Sequence, residues 1–269
     1  MALAVDGDRV CWVTGPEHGK LYVASRITQN AAPKHHNLSW VRDLCLRGND
    51  AYLACDRGVL RAPLDGGQPR ELAGRDEAAT CVLAGADFVV WLERRSGSVW
   101  RASLAGAAPE RLATGPRGAT AMVLLDAHVY WTAGQAGQLL RVPRAGGGAE
   151  VVVRADHPLT DLATDGRRLY WCTPSAVMTL AADGVPAVVV GDQATPAALA
   201  VSAAALAWVN GVGGQGPGAG AVMAVPHGRG QAQRTVVPSA VVQALCLWDR
   251  TLYWADQSTR AIVSATLET

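Results

Sequence analysis

The groups in this chain best suited to chemistry are a few carboxylates and imidazoles that break an otherwise repetitive pattern. Asp43 and Asp161 stand at matching points of an internal repeat, where Ala2, Cys81, Ala121, Ala198 and Ala244 stand in other copies. Two carboxylates replacing small residues can act as general acid and base, with neighbouring Arg42 and His157 tuning or partnering them. They can equally accept hydrogen bonds from the backbone of the next repeat, a common duty for an Asp at a strand entrance. Both uses are open on the residues alone. His18, His35, His36 and His157 are the candidate bases, and Glu93 joins Asp43 and Asp161 as a candidate acid.

The segment Lys34 to Trp40 (KHHNLSW) reads as a histidine-bearing connection that no other repeat contains. Tandem His35 and His36 suggest metal binding, but adjacent side chains of an extended chain point oppositely, and neither HxH nor HxxxH spacing occurs, so no metal site is expected. Nucleophilic catalysis has less support: there is no GxSxG, and Cys55 and Cys172 have no local His to lower their pKa. The Gly-rich stretches lack the following helix or Lys-Ser/Thr that phosphate cradles use, so no cofactor is expected. For ligand binding the candidates are Arg42, Trp40, Arg95, Trp248, Gln243 and Asp256, with Trp40 and Trp248 falling outside the repeat register near loop positions.

The elements that must position these groups are set by a Trp that closes a short apolar strand. The anchors are Trp12, Leu53 (in place of Trp), Trp91, Trp131, Trp171, Trp208 and Trp254, separated by 41, 38, 40, 40, 37 and 46 residues. That interval is the period of a four-stranded propeller blade. The fourth copy predicts strands over Ala121 to Leu125, His128 to Thr132, Leu139 to Pro143 and Glu150 to Val153, with Gly and Asp in the turns. The expected fold is all-β, a seven-bladed β-propeller of four-stranded antiparallel blades in one domain. Blades fall near 1–40, 41–78, 79–118, 119–158, 159–195, 196–240 and 241–269. The seventh copy runs out after its third strand, which leaves three readings open: a three-stranded last blade, a closing strand from residues preceding Met1, or an unusual role for the irregular stretch Gln29 to Trp40. The long interval before Trp254 is assigned to the Gly-rich loop from Asn210 to Ala221.

In such a fold the loops joining second to third strands, and fourth strands to the next blade, open at one face around a central channel. Glu17, His18, Asp56, Glu93, Arg94, Arg95 and Asp256 map to the first set. His35, His36, Trp40, Arg42, Asp43, Arg75, Asp76, Glu77, Arg117, His157 and Asp161 map to the second.

With 17% charged residues and a formal net charge of +1, the chain lacks the electrostatic footprint of a nucleic-acid binder. No apolar run approaches the roughly 20 residues that span a bilayer, and no signal core is evident, so no membrane partner is expected and a cytoplasmic location is. The six cysteines show no CxxC spacing and read as free buried thiols.

The tags YWT at Tyr130, YWC at Tyr170 and YWAD at Tyr253, each following a turn, resemble the YWTD-type propellers and the looser bacterial propeller families that share their blade signature. The resemblance covers essentially the whole chain and implies the propeller fold. The families resembled include receptor ectodomains, lyases and scaffolds. The expected function is binding of a small molecule or peptide at the loop-bearing face. The alternatives are a lyase, cyclase or hydrolase working by acid–base chemistry there, or a scaffold meeting a protein partner on its rim.

Overall fold

A computed structural model describes residues 1–15, 17–28, 31–74, 78–181, 184–211, 220–227 and 232–268. Its strands are short runs rich in Val, Leu, Ala, Tyr and Trp, which suit a pleated, half-buried surface. The tight turns between first and second strands place a residue in the left-handed region, Gly7, Gly48, Asp126 or Asp249, as hairpin twist requires.

Seven antiparallel sheets result. Blade 1 comprises Ala2–Asp6, Arg9–Thr14, Gly19–Ser25 and Ala31–Leu38. Blade 2 comprises Asp43–Arg47, Asp50–Cys55, Gly58–Pro63 and Arg70–Gly74, and blade 3 Ala79–Ala84, Phe88–Glu93, Ser98–Ser103 and Glu110–Thr114. Blade 4 comprises Ala119–Leu125, His128–Ala133, Gln138–Pro143 and Glu150–Arg154, each within two residues of expectation. Blade 5 comprises Leu162–Thr164, Leu169–Cys172, Val177–Leu180 and Pro186–Val190, and blade 6 Pro196–Val201, Ala205–Gly211, Gly220–Pro226 and Arg234–Ala240. Blade 7 has three strands, Val242–Trp248, Thr251–Asp256 and Ala261–Thr266. This is the seven-bladed β-propeller expected, and of the readings left open for the last blade the described residues show the three-stranded one.

Two expectations are corrected. Lys34 to Leu38 is not a connection but part of the fourth strand of blade 1, where Leu21 pairs with His35 and Gly19 with Leu38. The Gly-rich stretch also contributes to strands, since Asn210 pairs with Ala221 and Gly211 with Gly220. The remainder of that loop, 212–219, lies outside the described residues, as do Arg75, Asp76 and Glu77.

By their contacts the described residues form two compact units, Met1–Met122 with Val142–Glu150, and Val123–Arg141 with Val151–Thr269. In the first, apolar side chains of blades 1 and 2 merge around Leu21, Leu44 and Leu53. Trp91 of blade 3 packs with Tyr52 and Ala54 of blade 2, and Trp100 stacks on Trp91 at 6.3 Å. In the second unit Trp208 packs with Tyr170 and Cys172 of blade 5, and Trp254 with Ala205 and Ala207 of blade 6. Each of these anchors covers the second strand of the blade before it, and such fully buried rings are the main apolar cement between blades. Trp12 is half-buried and stacks on Tyr22 at 5.3 Å.

Candidate functional site

In blades 2 and 5 the first strand is preceded or opened by the aspartate singled out above. Asp43 lies opposite Ala54, one residue beyond the anchor position. Its Oδ1 accepts the amide of Leu44 at 2.8 Å and its Oδ2 the amide of Val82, in the first strand of blade 3, at 2.9 Å. Asp161 repeats the arrangement with the amides of Leu162 at 2.8 Å and Leu199, in blade 6, at 2.7 Å. Each carboxylate therefore ties its blade to the next through backbone. In the blade 6 strand a bulge between Ala197 and Ala200, with Ala198 at φ 50°, adds a residue beside Leu199. The bulge also shifts the register: the counterpart of Asp43 in blade 6 is Ala197, opposite Val209, rather than Ala198. Burial raises the Asp43 carboxyl above its ordinary value, against the opposing pull of its two backbone bonds, although part of the residue remains accessible.

A second set of polar residues sits two positions beyond the anchor, at the end of the second strand, and closes the loop that follows. The Cys55 thiol donates to Gly58 O at 3.3 Å and the Thr173 hydroxyl to Ala176 O at 3.2 Å. Glu93 Oε2 accepts the Ser96 hydroxyl at 3.0 Å, and Asp256 Oδ1 accepts the amide and hydroxyl of Ser258 at 2.8 and 2.5 Å. Asn210 differs: with Gln193 it receives the indole N–H of Trp208, at 3.1 and 2.9 Å. Glu93 and Asp256 thus hold turns, and the bonds to Ser258 and Thr259 lower the Asp256 carboxyl. The Glu93 Oε1 atom is buried without a hydrogen-bond partner among the described residues. The sequence signal was a polar residue two after the anchor with Ser, Thr or Gly two to three further on, an Asx-turn spacing.

The histidines are dispersed. His18 is exposed with φ 53°. His35 is buried, and its Nε2–H donates to Pro63 O at 2.6 Å, while His36 on the opposite side of the strand is exposed. His157 lies 3.9 Å from Asp156 and 3.4 Å from the Pro158 carbonyl. Among the described residues His157 forms no hydrogen bond or ion pair with Asp161. The thiols of Cys55 and Cys172 are pushed up by burial, and no group of three His, Cys, Asp or Glu among the described residues is placed to hold a metal.

The ligand-binding candidates separate too. Arg42 pairs with Asp56 at 2.5 Å and donates to the Trp40 carbonyl at 3.3 Å, so its charge is neutralised beside an exposed indole. Gln243 is exposed within a bulge at the start of its strand, whereas Trp248 ends the same strand opposite Thr251. The strand's rise puts the two roughly 16–17 Å apart, with Trp248 at the turn end and away from the loops.

Arg95 has company. The second-to-third loop of blade 3 carries Arg94 and Arg95, and the connection leaving that blade carries Arg117. Two backbone bonds stitch these loops together, Gly115 N to Gly97 O and Gly118 N to Arg94 O, both 2.9 Å. Gly97, at φ 68°, allows the approach, because a Cβ there would strike the carbonyls of Gly115 and Pro116. The same stitch recurs at Gly137 with Ala155 and at Ser175 with Gln193. Arg94, Arg95, Ser96 and Arg117 surround an opening of about 710 Å³. No carboxylate among the described residues pairs with any of the three guanidiniums. Such an arrangement suits carboxylate or phosphate groups, which planar guanidiniums grip bidentately.

The chain is thus a seven-bladed β-propeller with stitched loop ends and, on blade 3, a cationic opening. No protein-family model and no curated protein matches it. Among solved structures it is similar to a catalytically inactive variant of virginiamycin B lyase from Staphylococcus aureus with quinupristin. The TM-score is 0.79 at 12% identity, over 99% of this chain and 94% of that one. It is also similar to the computationally designed Ika8 protein (TM-score 0.68, 15% identity, 99% and 95% covered) and to a chain of the nidogen/laminin complex (0.58, 16%, 97% and 90%). At these identities the likeness establishes the fold. Among the described residues no helix is long and apolar enough to cross a membrane, which does not bear on β-barrel spans.

Proposed function

We propose that the protein is a ligand-binding propeller that takes a small anionic molecule at the loop end of blade 3. The reading is carried by Arg94, Arg95 and Arg117, three cations around one opening with no acidic partner among the described residues. Glu93 serves there as a positioning residue: it holds Ser96, whose hydroxyl in turn accepts the Ser98 amide at 3.2 Å, and so fixes the loop from which Arg94 and Arg95 project. An acid–base enzyme, suggested by the lyase among the structural neighbours, draws less support from this chain. Asp43 and Asp161 spend both oxygens on backbone amides, and among the described residues the histidines have no carboxylate within hydrogen-bonding distance.

Titration calorimetry with citrate and inorganic phosphate tests the reading. Binding is expected to weaken about tenfold in Arg95→Gln, on the scale of one charge-assisted hydrogen bond, to vanish when Arg94 and Arg117 are also changed to Gln, and to decline with added salt. Equal binding by the triple variant refutes it. A hexaglutamate peptide that binds more tightly than citrate identifies the ligand as peptide.

A further inference from the structure

At the opposite end of the blades, the second unit contains a concavity that the loop-end reading does not use. It lies between blades 4 and 5 and has a volume of about 510 Å³, within the range of small-molecule sites. Its walls are apolar where Leu125 ends one strand, Leu169 begins another and Leu180 ends a third. Its polar side is formed by Arg167, Arg168 and Tyr130.

The charges there are unevenly matched. Asp165, the carboxylate of the same turn, directs Oδ1 to the backbone amides of Arg167 and Arg168 at 2.8 and 2.7 Å, and Oδ2 accepts the Tyr170 hydroxyl at 3.1 Å. Neither guanidinium forms an ion pair among the described residues. Among the described residues of this turn two arginines stand against one aspartate, an excess of positive charge beside an apolar cleft. Tyr170, one residue before the anchor of blade 5, gives its hydroxyl to Asp165, whereas Tyr130 at the same place in blade 4 lines the cavity and its hydroxyl has no hydrogen-bond partner among the described residues.

We infer that this concavity is a second, independent binding site for an amphiphile with one negative charge. The apolar body lies against Leu125, Leu169 and Leu180, and the head group is held by Arg167, Arg168 and the Tyr130 hydroxyl. A single anionic group meets that excess, and the cleft shields the body from water, so head and tail are recognised by different chemistry.

The probe is 8-anilinonaphthalene-1-sulfonate, which has one sulfonate on an apolar body, titrated by fluorescence into the native protein. Saturable single-site binding is expected, displaced by dodecanoate and not by dodecanol. Arg167→Gln with Arg168→Gln should weaken it about tenfold or more; both substitutions keep the backbone amides that bind Asp165. Tyr130→Phe should weaken it about threefold without affecting the fold. Arg95→Gln should leave it unchanged, which separates this site from the one on blade 3. The inference is overturned if the probe does not saturate, if the double arginine variant binds within twofold of the parent, or if dodecanol competes as well as dodecanoate.

Discussion

Replacing Asp43 by Asn tests whether this residue is a blade tie. The side chain keeps its shape, but one oxygen becomes an NH₂ facing a backbone N–H. Either the Leu44 amide, 2.8 Å from Oδ1, or the Val82 amide, 2.9 Å from Oδ2, then loses its acceptor. An unsatisfied buried donor costs about 1–3 kcal/mol. Part of that loss is offset, because burial disfavours the charge of the native carboxylate, as its raised pKa records. The balance is a destabilisation of about 2 kcal/mol, which in a chain of this length lowers Tm by roughly 4 °C. Asp43→Ala removes both acceptors and should cost roughly 3 kcal/mol. Calorimetry gives the Tm, and hydrogen exchange gives the location: the Val82 amide should exchange faster in Asp43→Asn, while citrate binding at blade 3 stays unaltered. A variant within 1 °C of the parent, with Val82 still protected, would show that the tie contributes nothing and would return Asp43 to the list of catalytic candidates.

Two other outcomes test the loops and turns. Gly97→Ala forces a Cβ at φ 68° into the Gly115 and Pro116 carbonyls; it should cost roughly 2 kcal/mol or more and weaken citrate binding with it, since Arg117 is no longer held against Arg94, as thermal unfolding and calorimetry on the one variant will show. Asp165 concerns pH: burial alone would raise its carboxyl, but the amides of Arg168 and Arg167 and the Tyr170 hydroxyl outweigh it, and the net shift is down from 3.8. The ionised form is favoured by folding, so its stabilisation is complete above pH 3.8 and lost as pH falls through the lowered value. The Tm difference between Asp165→Asn and the parent should therefore be largest near neutrality and close in strong acid, and a constant difference over pH 2–7 contradicts the assignment.

The legibility of the sequence differed by level. Blade count and strand order follow from Trp spacing, because an anchor such as Trp91, Trp208 or Trp254 must cover the second strand of the preceding blade and cannot drift. Lys34 to Leu38 misled because its two histidines and lysine look unlike the fourth strands RELAG, ERLAT or EVVVR, yet an outer strand needs only a few inward positions buried, here His35 and Leu38, separated by one extra residue at a bulge that includes Asn37 at φ 60°. The blade 6 register slipped by one because nothing in the string PAALAV announces a bulge at Ala198. The stitching of loops was also hidden, since it is made by backbone atoms at Gly97, Gly115 and Gly118, and backbone atoms leave little mark on side-chain pattern.

Rarity within a repeat is an ambiguous signal, and the partners of each exceptional residue resolve it. Asp43, Asp161, Glu93 and Asp256 are exceptions in type, but each meets a demand the repeat itself creates: an amide of the next blade, or a loop that must turn. Their charge is consumed by the fold. Arg94, Arg95, Arg117, Arg167 and Arg168 are less conspicuous in a chain whose basic residues are nearly all arginine, yet no carboxylate among the described residues pairs with them. A polar group whose interactions are satisfied internally has little left to offer a ligand, whereas a guanidinium without a carboxylate partner at a concavity gains from one without first breaking an ion pair. That asymmetry moves the search for function from the carboxylates to the arginines.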